Sequence, residues 1–123
     1  MTASEHALKI AKIAAQAAFE KKAEDIVLLD VSEHLVITDI FLIATASNDR
    51  QVSAISDAIE EALDKIDVDP IRREGQREGT WVLLDYFDIV VHIQQTEERS
   101  LYDLERLWSD CPVIQLELVG VLE

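Results

Sequence analysis

One run of residues limits the fold more than any other feature of this chain. Ile40-Phe-Leu-Ile-Ala-Thr-Ala46 contains no charge, no proline and no glycine. Seven such residues between polar flanks read as a strand covered on both faces, because a half-exposed strand would alternate apolar with polar positions. Asp25 to Val31 (Asp-Ile-Val-Leu-Leu-Asp-Val) has the same character, so the two runs are expected to form the middle of a sheet. Whatever else the chain does, it must supply layers above and below them.

Helical periodicity supplies those layers. From Glu5 to Lys22 the polar residues Glu5, Lys9, Lys12, Gln16 and Glu20 recur every three or four positions, which predicts an amphipathic helix opening after Thr2 or Ser4. Val52, Ile55, Ala58, Ile59, Ala62, Leu63 and Ile66 form a second helical stripe. Asn48 or Ser47 is its expected N-cap; with Asn48 in that place, Gln51 stands at the third helical position for reciprocal capping. Asp67-Val-Asp-Pro70 ends this helix, since the residue before proline avoids helical geometry.

Arg72 to Gly79 has no apolar residue and reads as a surface loop, after a short strand at Pro70 to Arg73. Trp81 to Asp85 and Asp88 to Gln94 flank Tyr86-Phe87 and predict a β-hairpin with a two-residue loop. Pairing Asp85 with Asp88 sets Trp81 opposite His92 and Leu83 opposite Val90. Val82, Leu84, Ile89 and Val91 then share one face, and Trp81, Leu83, Val90 and His92 the other. Glu97 to Trp108 predicts a third helix with Leu101, Leu104, Leu107 and Trp108 on one side. Val113 to Val119 suits an edge strand or an extended arm. The order of elements gives an α+β fold with a mixed sheet and helices packed on it, expected as a single domain over residues 1–123 with 113–123 as a C-terminal arm.

Charge and composition exclude several function classes. With 25 acidic against 11 basic residues the net charge is −14, which opposes a broad grip on nucleic acid through phosphate contacts. The lone Cys111 allows no internal disulfide, and Cys111 with His6, His34 and His92 has no zinc-site spacing. The expectation is a metal-free, cofactor-free cytoplasmic protein with no signal peptide and no membrane span. Gly75, Gly79 and Gly120 form no phosphate-binding loop. His92 lacks a second positioned group for acid–base work.

The face carrying Trp81 is apolar at its centre, so it is either covered by the third helix or the arm, or is a docking patch anchored by Trp81, the residue type most enriched at binding hot spots. At these residues the chain resembles a known family. Asp25-Ile-Val-Leu-Leu-Asp-Val-Ser-Glu33, Ile37-Thr-Asp-Ile-Phe-Leu-Ile43, Ser47-Asn-Asp-Arg-Gln-Val52, Glu78-Gly-Thr-Trp-Val-Leu-Leu-Asp-Tyr86, Asp88-Ile-Val-Val-His92 and Leu101-Tyr-Asp-Leu-Glu-Arg-Leu-Trp108 are similar, in order, to the ribosomal silencing factors (RsfS; Iojap/YbeB-like).

The resemblance implies a translational repressor rather than an enzyme, with a fold like a nucleotidyltransferase core stripped of its catalytic residues. Its implied partner is the large ribosomal subunit, bound through ribosomal protein number fourteen so that subunits cannot join, with a further role in large-subunit biogenesis and a homodimer as the isolated state. Trp81 matches the family's Trp and is the first candidate for the partner contact. Leu83, Asp85, Tyr86 and His92 surround it as weaker candidates. Where the family commonly has Asp-Tyr-Gly-Asp this chain has Asp85-Tyr86-Phe87-Asp88, and Phe tolerates a positive φ only at a cost of roughly 1 kcal/mol. Two alternatives stand beside this reading: a nucleotidyltransferase-like enzyme, and a homodimeric adaptor without ribosome contact.

Overall fold

A computed structural model describes residues 2–118. Along the chain lie α1 (Glu5–Glu20), β1 (Glu24–Asp30), β2 (Ile40–Ala46), α2 (Asp49–Asp64), β3 (Arg72–Glu74), β4 (Trp81–Asp85), β5 (Ile89–Gln95), α3 (Thr96–Tyr102), α4 (Leu104–Leu107) and β6 (Val113–Ile114). The strands form one sheet in the order β3-β4-β5-β2-β1-β6. Every pairing is antiparallel except β2 with β5, which run parallel from Ile40 opposite Ile89 to Ala46 opposite Gln95. All seven residues of β2 are buried, as the uninterrupted run from Ile40 to Ala46 demands.

The long helices α1 and α2 cover one face. Ser4 caps α1, its hydroxyl accepting from the Ala7 N–H at 3.0 Å. The helix buries Ala7, Ala11, Ala14, Ala15, Ala17 and Ala18 around Ile10; such small side chains let its backbone lie close to the sheet and to α2. From α2 come Val52, Ile55, Ile59 and Leu63. They meet Leu28, Ile40, Leu42, Ala44, Val82, Leu84, Ile89, Val91 and Ile93 of the strands.

The cap of α2 does more than the sequence suggests. Asn48 Oδ1 accepts from the Gln51 N–H at 2.8 Å, as predicted. The Gln51 side chain reaches back one residue further than a reciprocal cap, accepting from the Ser47 N–H at 2.7 Å. Its Nε2 donates to the carbonyls of Lys21 and Lys22, so one side chain joins the start of α2 to the end of α1.

The hairpin between β4 and β5 differs from the expectation by two residues. Trp81 stands opposite Gln94, Leu83 opposite His92 and Asp85 opposite Val90, so the loop is Phe87-Asp88 rather than Tyr86-Phe87. The Tyr86 N–H donates to the Ile89 carbonyl and the Asp88 N–H to the Tyr86 carbonyl, both at 2.9 Å. The second bond closes a three-residue turn on Phe87, whose φ is +73°. Asp85 Oδ1 accepts from the Phe87 N–H at 2.9 Å, holding the strained residue in place. Because the shift is even, every side chain keeps its predicted face.

The expected single helix from Glu97 to Trp108 is broken. Asp103 adopts left-handed geometry (φ 44°, ψ 59°) and separates α3 from α4; aspartate visits this region more readily than most residues. Arg99 ties the two pieces down, donating to Thr45 Oγ1 on the sheet at 2.7 Å and to Glu105 across the break at 3.0 Å. The change of direction turns Leu104 and Trp108 onto the sheet beside Phe41 and Ile43, while Leu101 and Leu107 point outward, 75% and 71% exposed. Of the C-terminal segment, β6 adds two residues to the free edge of β1. Leu116 and Leu118 pack against the α1 side of the core, and 119–123 lie outside the described residues.

Gly75 follows β3 with a φ of +86°, and a Cβ there would stand 1.9 Å from the Trp81 carbonyl oxygen. Gly75→Ala is therefore expected to destabilise the protein by about 2 kcal/mol or more, through both strain and backbone displacement; urea unfolding of the variant beside the parent measures it.

Candidate docking face around Trp81

On the sheet face away from α1 and α2, strand alternation lays side chains in rows. Thr45, Gln94 and Trp81 form one row across β2, β5 and β4; Ile43, His92 and Leu83 form the next; Phe41, Val90 and Asp85 form the third. Among the described residues, α3, α4, the turn after them and Leu35 of the loop after β1 pack over this face, and α3 buries none of its own residues. Cover is therefore complete over β2 and partial over β1 and β4. Trp81 and Leu83 stay half-buried and, with Glu74 and Gly75, line an open hollow of about 310 Å³.

Trp81 is fixed from below and from the side. Its indole Nε1–H donates to His92 Nδ1 at 3.2 Å, and its ring lies 4.8 Å from that of Tyr102. His92 sits between the Trp81 ring at 5.9 Å and the Phe41 ring at 5.1 Å. Phe41 meets Trp108 edge-on at 5.3 Å, and Trp108 meets His34 at 6.1 Å. A row of rings thus crosses the sheet from the tip of α3 to the loop after β1. An indole that donates to a buried acceptor cannot swing freely, so its exposed edge is presented in one orientation.

The predicted site residues divide. Trp81, Leu83 and His92 come together as expected, with His92 diagonal to Trp81 rather than opposite it. His92 is only 6% exposed, so it supports Trp81 and offers no surface of its own. Asp85 lies at the rim of the same face, 3.4 Å from Arg72. Tyr86 belongs elsewhere: alternation puts it on the α2 face, 5% exposed, where burial and the nearby Glu60 push its phenol well above its ordinary pKa. Sequence reasoning missed Tyr102, 53% exposed beside Trp81. The break at Asp103 places it there, and a continuous-helix pattern could not have signalled it. Phe41, in the third row, was likewise hidden, inside a strand read only as an apolar run.

Comparison with known proteins accounts for the pattern. The family model described as "Ribosomal silencing factor during starvation" matches residues 4–122. The chain belongs to this family. It is 43% identical over 108 residues to the ribosomal silencing factor RsfS of Bacillus subtilis, covering 88% of this chain and 92% of that one. It is 34% identical over 109 residues to the chloroplastic protein Iojap of Zea mays, 89% of this chain and 47% of that longer one. Among solved structures, a protein from Chromobacterium violaceum superposes with a TM-score of 0.81 at 33% identity, covering 92% of each chain. One from Bacillus halodurans gives 0.78 at 33% identity, covering 89% of this chain and 99% of the other. The sheet and helices described above are therefore the family's fold.

Burial pushes the His92 imidazole down from 6.5 to about 4. Between those values the unfolded chain takes up a proton that the folded chain refuses, so the folded state loses stability as pH falls below 6.5 and is unaffected by this group above it. Between about pH 7.5 and about pH 5 the parent should lose about 2 kcal/mol more than a His92→Phe variant. Denaturant unfolding at the two pH values tests this, and parallel pH profiles would contradict it.

Proposed function

We propose that this chain silences translation by binding the large ribosomal subunit and occupying the surface at which the small subunit must join. Membership of the family supports the silencing role. The observation that carries the binding mode is the held indole of Trp81, locked by His92, flanked by Tyr102 and bordering a hollow with Leu83. A rigid aromatic beside a shallow recess is the usual form of an interface anchor.

Charge selects the class of partner. A chain of net charge −14 is repelled by ribosomal RNA and attracted to a basic ribosomal protein, in agreement with the family's implied partner, ribosomal protein number fourteen of the large subunit. Trp81 and Leu83 make the apolar contact. Asp85 contributes charge at the rim, while His92 and Tyr86 act from within, one bracing the anchor and the other filling the opposite core. The action is steric and needs no reaction. It places the protein in the cytoplasm with the ribosomes, and self-association through the same apolar face would compete with it.

Trp81→Ala should weaken co-sedimentation with purified large subunits by about thirtyfold or more, the loss typical of a hot-spot aromatic, while the circular dichroism of the variant stays that of the parent. Subunit joining measured on sucrose gradients should be inhibited by the parent and not by the variant. A folded variant that co-sediments and inhibits as well as the parent would remove this face from the contact.

A further inference from the structure

The fold assembles a second cluster at the far end of the ring row. His34 comes from the loop between β1 and β2, and Asp110 and Cys111 from the turn between α4 and β6. One ligand atom from each lies within 4.8 Å of the others. His34 Nε2 stands 3.4 Å from Asp110 Oδ2. In a tetrahedral site with bonds of about 2.0–2.2 Å to nitrogen and oxygen, ligand atoms are about 3.3–3.6 Å apart, so this pair already has the spacing that a metal would impose.

The donors also suit one class of metal. Imidazole, thiolate and carboxylate together are ligands for zinc-like ions, whereas magnesium and calcium take oxygen alone. Both sides of the cluster are built. The His34 N–H donates to the Val31 carbonyl and the Cys111 N–H to the Trp108 carbonyl, each at 3.0 Å, and the Trp108 ring lies against the His34 ring. Cys111 is packed with Leu29, Val31 and Leu104. Asp110, Asp30 and Glu33 surround the Cys111 thiol with negative charge, a field that attracts a cation. The Asp30 carboxylate is engaged by Ser32 and by the Ala3 N–H, so it shapes the field without being a ligand.

We propose that His34, Asp110 and Cys111 form a binding site for a zinc-class divalent cation, with the fourth position taken by water or an external ligand. Binding forms a metal–sulfur bond, and the Cys111 thiol proton passes to solvent. The ion staples the loop after β1 to the turn that leads into β6, an edge strand held by only two residue pairs.

Titration of the reduced full chain with Co²⁺ tests the site. The expected result is a single equivalent bound, with a thiolate-to-cobalt charge-transfer band in the near ultraviolet that Zn²⁺ abolishes by displacement. Zn²⁺ binding followed by calorimetry should release one proton, and it should weaken at least about tenfold in His34→Gln and in Cys111→Ser. Should Cys111→Ser fail to fold, His34→Gln decides, because that side chain sits in a surface loop and is 43% exposed. Asp57→Asn, on the outer face of α2, should bind as the parent does. Absence of the sulfur band, or equal Zn²⁺ affinity in the parent and His34→Gln, would overturn the proposal and leave diffuse attraction to an acidic surface.

Discussion

The parallel pairing of β2 with β5 is the constraint from which the rest of the architecture follows. Parallel neighbours cannot be joined by a tight turn, so the chain between them must leave the sheet and return. Here that crossover contains α2, β3 and β4. It lays α2 beside α1 on one face and delivers β4 to the outer edge of β5. With both long helices on the same side, the opposite face is left to the short α3 and α4 and the turn after them. They lie over β2 and β5, bury the β2 side chains on that face, and leave Trp81 and Leu83 of β4 half-buried. The half-open face around Trp81 is thus a consequence of where the crossover spends its helix.

That face is unusual in what lies under it. Thr45, His92 and Gln94 are buried there together, and a buried polar group without a partner is costly. Thr45 is satisfied by Arg99 and His92 Nδ1 by the Trp81 indole. A neutral imidazole is the form the site favours, which makes it an acceptor for Trp81 at ordinary pH. An apolar residue at position 92 would pack as well but would leave the indole N–H without its acceptor. In this arrangement stability and presentation of the docking residue are served by the same bond.

Most of the strands and both long helices were legible because each rests on local patterning. Ile40–Ala46 is bounded as expected, and Ser4 and Asn48 cap as their chemistry predicts. The hairpin shows the limit of that reasoning. Phe87 in a positive-φ turn violates the usual preference, so local rules put the two-residue loop one position too early; the Asp85 carboxylate on the Phe87 N–H is the compensation that those rules do not include. The face assignments survived because a shift of two residues in register returns each side chain to the same side. The break at Asp103 was invisible for a related reason: Leu101, Leu104 and Leu107 keep helical spacing, but only the need to return to the sheet makes the chain turn there.

By itself the sequence determined which segments are strands and helices, which faces are apolar, that the surface is strongly acidic, and, through its ordered blocks, the resemblance to a family. Periodicity and charge are properties of neighbours in the chain and can be read without coordinates. Tertiary structure alone decided that Tyr102 flanks Trp81, that Gln51 binds the end of α1, and that His34 meets Asp110 and Cys111. Each of these depends on distances between residues remote in sequence, which are set by strand order and by the path of the chain over the sheet.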